Sequence, residues 1–162
     1  NVNNAGMLFI DGSAGTAAET ITGSISADSI TGGAGSDVIT GGAGVDTMTG
    51  GAGADKFVFT DLPNLSTLGT TVTDEIVGFA TGDSISLGVV GTTTNFLAIT
   101  AAATSLTALL TAADVALNGT IDYYFGVVGA DGYLVTDSDG IGYTDIIKLT
   151  AVTTIAAGDI VI

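Results

Sequence analysis

A nine-residue repeat constrains the fold of this chain more than any other feature. Three consecutive rows stand in register, GGAGSDVIT at 32–40, GGAGVDTMT at 41–49 and GGAGADKFV at 50–58. Two weaker rows precede them at 14–22 and 23–31, so five rows share one frame. In every row an acidic residue is followed two places later by a large apolar residue. The acidic residues are Glu19, Asp28, Asp37, Asp46 and Asp55, and the apolar residues are Ile21, Ile30, Ile39, Met48 and Phe57.

The spacing within each row predicts a turn followed by a short strand. Glycine adopts positive φ without steric cost, so the six residues GGxGxD can form a tight turn in which main-chain carbonyls converge. The last three residues then form a strand whose central apolar side chain points inward. Two rows close one coil, and rows two apart stack on each other. A glycine-rich linker would not need an apolar residue at every ninth position.

The stacked turns predict metal sites. Asp37 with Asp55 is the best-formed acidic pair, Asp28 with Asp46 is the next, and Glu19 with Asp37 is the weakest. Carboxylates held this close are unfavourable unless a cation lies between them, and sites made only of oxygen ligands select Ca²⁺. In the second row Ser24 and Ser26 replace two glycines, so that turn is expected to bind calcium poorly or only to pack. The candidate ligands are Gly32, Gly33, Gly35, Asp37, Gly41, Gly42, Gly44, Asp46, Gly50, Gly51, Gly53 and Asp55, together with Asp28 and Glu19.

These rows resemble the nonapeptides of the RTX family, GGxGxDxUx, which form a calcium-bound parallel β-roll. The resemblance implies a mainly β protein that binds several calcium ions. We expect a lead-in at 1–13, a parallel calcium-binding β-roll (a short β-solenoid) at 14–58, and a β-rich capping and C-terminal module at 59–162 with one amphipathic helix.

The C-terminal part is predicted to contain a hairpin, a helix and several strands. Apolar residues alternate on both sides of a Gly-Asp pair in DEIVGFATGDSISL (74–87), which favours a hairpin. This segment resembles the one that caps the β-roll in serralysin C-terminal regions. Helical spacing of leucines predicts a helix at 104–117 that packs on a sheet, begins at Thr104 or Ser105 and ends at Asn118-Gly119. Strands are expected at 121–128, 132–137, 145–150 and 159–162.

The segment DSDGIGYTD (137–145) leaves two interpretations open. Asp137, Asp139 and Asp145 resemble the ligands of a calcium loop, and all three are kept as candidate ligands. An EF-hand-like loop would need oxygen ligands where Ile141 and Lys148 stand, so a plain turn with solvated carboxylates is the favoured interpretation.

The composition excludes several classes of function. With 17 acidic and 2 basic residues the net charge is −15, which repels nucleic acid and anionic membranes. Histidine and cysteine are absent, so the chain has no imidazole base, thiol nucleophile or disulfide, and we expect no enzymatic activity. The uncharged stretch 84–113 is interrupted by polar residues, so no membrane span is expected.

Two functional hypotheses remain. The first is a calcium-binding structural protein of the bacterial cell surface, of the S-layer or adhesin type, secreted by a type I system and folded by extracellular calcium. Its partners would be further copies of itself in a lattice or filament, the secretion apparatus of a Gram-negative-type bacterium and a surface polysaccharide. The alternative is the secretion and folding module of an exported hydrolase or toxin whose catalytic domain lies upstream of Asn1. The ending DIVI (159–162) resembles a serralysin-type secretion signal. Without the repeats it would be only a last β-strand, and together with them a secretion signal at the end of the 59–162 module is the favoured interpretation.

Overall fold

The structure is a computed structural model that describes residues 6–59, 74–87, 91, 94–99, 101–117, 120–137 and 145–161. Within these ranges the chain forms thirteen β-strands, one α-helix and one turn of 3₁₀ helix. The first eight strands are β1 Phe9–Asp11, β2 Thr20–Thr22, β3 Ser29–Ala34, β4 Val38–Thr40, β5 Thr47–Ala52, β6 Lys56–Val58, β7 Asp74–Val77 and β8 Ser84–Ser86. The remaining elements are β9 Phe96–Ala98, α1 Leu106–Ala116, β10 Tyr123–Val128, β11 Asp131–Thr136, β12 Asp145–Thr150, the 3₁₀ turn Ala157–Asp159 and β13 Ile160–Val161.

The repeat rows form two parallel sheets, as the nine-residue period predicts. In the first sheet β3 pairs with β5 and places Ile30 beside Met48. In the second sheet β2, β4 and β6 pair in turn and align Ile21, Ile39 and Phe57. Rows two apart therefore stack on each other, and their apolar side chains fill the space between the sheets. The prediction of a mainly β protein with a parallel β-roll is confirmed.

The hairpin predicted at 74–87 is wrong. β7 lies beside β5 in the first sheet, with Ile76 next to Met48, and β8 lies beside β6 in the second, with Ile85 next to Phe57. Both pairings are parallel, so the segment adds a further coil instead of folding back on itself. An alternating pattern around a turn fits both topologies. The parallel topology covers Met48 and Phe57 in the interior, and all four of these side chains are fully buried.

The C-terminal strands continue both sheets. β12 pairs in parallel with β7, and β11 and β10 follow in antiparallel order, so the first sheet runs β1-β3-β5-β7-β12-β11-β10-β9. β13 pairs with β8 and completes a second sheet ordered β13-β8-β6-β4-β2. Strands were predicted near β10, β11, β12 and β13, whereas β9 was not. The division of the chain at residues 14 and 58 stays a prediction.

Helix α1 packs on the outer face of the antiparallel strands. Ser105 accepts a hydrogen bond from the Ala108 amide at 3.2 Å and caps its start, as predicted, while the predicted end at Asn118-Gly119 lies outside the described residues. The buried side chains of this second core come from the helix and the strands beneath it: Leu109, Leu110, Ala113, Leu117, Tyr124, Val135 and Ile146. No helix in the described ranges is long and apolar enough to span a membrane.

Candidate calcium sites

The two sheets place the turns along two edges of the roll. The turns that follow β3, β5 and β7 stack at one edge and end at Asp37, Asp55 and Asp83. The turns that lead into β3 and β5 stack at the other edge and end at Asp28 and Asp46, and Asp74 begins β7 at that edge. Each carboxylate thus belongs to one of two columns. All six of these residues are at most 5 % exposed.

A ladder of hydrogen bonds joins the carboxylates in each column. In the first column Asp37, Asp55 and Asp83 each accept one bond at Oδ1 from the backbone amide of the acidic residue one coil earlier, at 2.8–2.9 Å. In the second column Asp28, Asp46 and Asp74 do the same at 2.7–2.8 Å, with Leu8 as the first donor. Because the carboxylate binds the neighbouring coil, each Asp fixes the stacking of two rows.

The second carboxylate oxygen divides five of these six residues into two groups. Asp28, Asp37 and Asp83 accept a further bond at Oδ2 from the amides of Ser24, Gly33 and Ala80, at 2.5–2.8 Å. Oδ2 of Asp46 and Oδ2 of Asp55 are buried and find no hydrogen-bond donor in the described part of the chain. A buried carboxylate oxygen without a partner is costly, so these two atoms are where a cation would contribute most.

Backbone conformation explains why Asp46 and Asp55 differ from Asp37. In the turns 41–46 and 50–55 the second and third glycines have positive φ, 104° and 125° in one turn and 111° and 136° in the other. In the turn 32–37 the amide of Gly33 instead bonds Asp37. A Cβ on Gly51 would overlap the Gly33 carbonyl oxygen, so the carbonyl of one turn lies directly against the next turn. The turns therefore place main-chain oxygens between stacked coils, and oxygen ligands of this kind fit the preference of Ca²⁺.

The serines of the second row satisfy Asp28 without a metal. Ser24 donates to Asp28 through its amide at 2.5 Å and through its hydroxyl at 3.1 Å. The amide of Ser26 in turn donates to the Ser24 hydroxyl at 3.1 Å. The expectation that this row binds calcium poorly or only packs is consistent with this arrangement and stays a prediction.

Burial makes three of the ladder carboxylates reluctant to ionise. Removal from water raises the pKa of Asp46 to about 6 and that of Asp74 to about 7, and the neighbouring carboxylates add to both effects. Burial also raises the pKa of Asp55. No three acidic side chains in the described ranges converge on one point. A cation at the turns would therefore depend on carbonyl oxygens as well as carboxylates.

Two members of the ladder, Asp74 and Asp83, were not among the predicted ligands. The signal was present, since they stand nine residues apart and each is followed two places later by an isoleucine, Ile76 or Ile85. The third glycine position of that row is Thr81, which hid the repeat.

The structure describes two of the three acidic residues predicted as ligands in 137–145. Asp137 follows the last residue of β11 and Asp145 begins β12, whereas Asp139 lies outside the described residues. The favoured expectation of solvated carboxylates is wrong for the two described ones, since Asp137 is 6 % exposed and Asp145 is fully buried. Burial raises the pKa of Asp145 to about 7, and the charge of Asp74 adds to this effect.

Comparison with known families identifies the repeat. The family model "RTX calcium-binding nonapeptide repeat (4 copies)" matches residues 11–48 and 22–57. Residues 11–57 are RTX repeats. The solution structure of a subunit of the Azotobacter vinelandii mannuronan C5-epimerase is similar at 24 % identity and a TM-score of 0.44, over 91 % of this chain and 80 % of that chain. A search of curated proteins finds no match. The RTX repeats imply calcium binding and coincide with the stacked turns described above.

Proposed function

We propose that this chain is a calcium-binding structural protein, or domain, of the bacterial cell surface, of the S-layer or adhesin type. In this proposal it is exported by type I secretion from a Gram-negative-type bacterium and folds in extracellular calcium. The observation that carries the proposal is the pair of buried, unpaired carboxylate oxygens of Asp46 and Asp55 within the RTX turns. We assign no reaction to these residues.

The ladder explains why folding should depend on calcium. Bound calcium supplies the positive charge that the turn carboxylates lack. The chain itself positions Asp46 and Asp55 through their Oδ1 bonds to the preceding coil, and it aligns carbonyl oxygens between stacked turns. Because such a site does not exist in the unfolded chain, the free energy of ion binding adds to the free energy of folding.

The net charge of −15 sets the direction of this dependence. Without cations, mutual repulsion and buried carboxylates oppose the compact state. Extracellular calcium sites of the weak type have Kd values of about 10⁻⁴–10⁻³ M. They would stay empty at cytosolic calcium and fill outside the cell. The roll would therefore stay unfolded until it is exported.

Exposed strand edges support self-assembly. Among the described strands, β1 and β2 stand at one edge of the two sheets. Near them Met7 and Phe9 are 77 % and 76 % exposed. Unpaired edges with apolar side chains favour association. A second copy of this chain is therefore the proposed partner, with a surface polysaccharide as a further candidate.

Size-exclusion chromatography with light scattering tests the proposal, in chelator and in millimolar calcium with magnesium as the ion control. We expect an expanded monomer in chelator and large assemblies in calcium. A compact monomer in calcium would favour the alternative, a secretion and folding module. An unchanged hydrodynamic radius would refute calcium-driven folding. Asp46→Asn should raise the calcium concentration needed, whereas Asp114→Asn, an equal charge change on an exposed helix position, should not.

A further inference from the structure

A second kind of buried acid lies where the roll meets the antiparallel strands. Asp145 begins β12 and is 0 % exposed, and neither of its carboxylate oxygens has a hydrogen-bond partner among the described residues. Asp74 begins the neighbouring strand β7 and is 5 % exposed. At Oδ1 it accepts a bond from the Asp46 amide at 2.8 Å. Asp145 is therefore less satisfied than any carboxylate of the turn ladder.

Strand register brings Asp74 and Asp145 onto one face. Asp74 stands beside Ile147 in the β7–β12 pairing. Asp145 lies two residues before Ile147 and so points to the same side of the sheet. One strand spacing across and two residues along place the two Cα atoms about 8 Å apart. Two carboxylates at that separation can share one cation with Ca–O distances of about 2.3–2.6 Å.

No lysine balances this pair. Lys148 lies on β12, but it alternates to the opposite face, where its Nζ contacts Glu75 at 2.9 Å and Asp131 at 3.4 Å. Lys56 lies on β6 of the other sheet. The negative charge of Asp74 adds to burial in raising the pKa of Asp145. The pair must therefore take up either a shared proton or a cation from solution.

We propose that Asp74 and Asp145 bind one calcium ion, which fastens β12 to the last coil of the roll. The site shares Asp74 with the second column of the ladder, but it differs from the RTX turn sites because Asp145 begins β12, and both residues lie outside the matched repeats at 11–57. The inference gives calcium a second role, that of joining the roll to the C-terminal strands.

The distribution of tyrosines allows this site to be observed separately. All four tyrosines follow residue 120, and none lies in the repeats. Tyr123 stands beside Thr136, and Thr136 stands beside Asp145, so Tyr123 is two strand spacings, about 10 Å, from Asp145. Terbium replaces calcium in oxygen sites, and its emission is sensitised by a nearby excited tyrosine.

The experiment is a terbium titration of the full chain, with excitation of tyrosine and, separately, direct excitation of terbium. We expect tyrosine-sensitised emission that saturates with one ion and is displaced by calcium. Asp145→Asn should lose most of this emission, and the exposed control Asp114→Asn should keep it. Asp55→Asn should keep the sensitised emission while its direct emission falls, so failure of the turn sites and failure of this site are distinguishable.

Three results would overturn the proposal. The first is wild-type protein without saturable tyrosine-sensitised emission, a test that needs no variant to fold. The second is loss of the emission with Asp139→Asn but not with Asp145→Asn, which assigns the ion to 138–144. The third is unchanged calcium stoichiometry in folded Asp145→Asn together with higher stability in chelator at pH 7, which assigns a shared proton to the pair.

Discussion

Replacing Asp55 with Asn should remove one calcium ion from the roll without breaking its hydrogen-bond ladder. Asp55 accepts the Asp37 amide at Oδ1, at 2.8 Å, and its Oδ2 atom is the buried oxygen without a partner. An asparagine keeps the Oδ1 acceptor and loses the charge and the unpaired oxygen. The change is therefore directed at the proposed ion and leaves the stacking of the two coils in place.

The size of the effect follows from mass action. A site with a Kd of about 10⁻⁴–10⁻³ M stabilises the fold by about 1.4–2.7 kcal/mol at about 10 mM calcium. Asp55→Asn should lower the free energy of unfolding by this amount at that concentration. The difference should vanish as calcium falls below the Kd. The variant removes an unpaired buried charge, so at low calcium it should be at least as stable as the wild type.

This difference in the free energy of unfolding is measured by urea unfolding, followed by far-UV circular dichroism. The measurement covers the calcium concentrations at which the protein is folded. The slope of the free energy of unfolding against the logarithm of calcium concentration gives the number of ions released, and it should fall by one. Asp83→Asn is the matched control, since both Asp83 oxygens already accept amides, at 2.9 and 2.8 Å. It should lose about 1–2 kcal/mol at every calcium concentration with an unchanged slope. Equal slopes in the two variants would refute the assignment.

Three further predictions concern strain, pH and the second core. Gly51→Ala should cost about 1–3 kcal/mol more than Gly78→Ala, the order expected for the clash alone, because both residues have positive φ but only at Gly51 would a Cβ overlap a neighbouring carbonyl; equal losses in urea unfolding would contradict this. In chelator, acidification from pH 8 to pH 5 should increase β-structure in circular dichroism. The raised pKa values of Asp46 and Asp74, about 6 and 7, mean that the folded state binds protons that the unfolded state releases, so stability is lost as pH rises through this range. Saturating calcium should abolish the trend, and a pH-independent spectrum in chelator would count against it. Leu109→Ala, at a fully buried helix position, should cost about 2–5 kcal/mol and leave the calcium slope unchanged; a changed slope would show that the helix is coupled to the ions.

The repeat alone was sufficient to predict the roll. The period of nine, with an apolar residue two places after each acid, determines which strands pair, and Ile21, Ile39 and Phe57 align as that rule requires. The same period accounts for the hydrogen-bond ladder, because the acidic residues of rows two apart must lie side by side. The sequence could not show in which turns the aspartate accepts a hydrogen bond from an amide of its own turn. Gly33 and Gly51 occupy the same position in identical GGAG runs, yet only Gly33 donates to its aspartate.

The errors arose where local pattern does not determine long-range pairing. Residues 74–87 alternate like a hairpin, and their parallel placement depends on the uncovered edges of β5 and β6. The burial of Asp145 was equally hidden, because a D-x-D-G segment is a turn by composition. Its position is set by β12, which pairs with β7 from far along the chain.

The ladder implies that the roll folds as one unit and not row by row. Each carboxylate binds the backbone of the coil before it, so a coil is complete only when the following coil supplies its acid. Asp74 and Asp83 supply the acids for the last two repeat rows, and they lie beyond the matched repeats. β12 pairs with β7, which begins at Asp74, and β13 pairs with β8, which follows Asp83. Calcium at the turns is therefore expected to stabilise the C-terminal strands, and those strands to strengthen calcium binding at the turns, by the same coupling free energy.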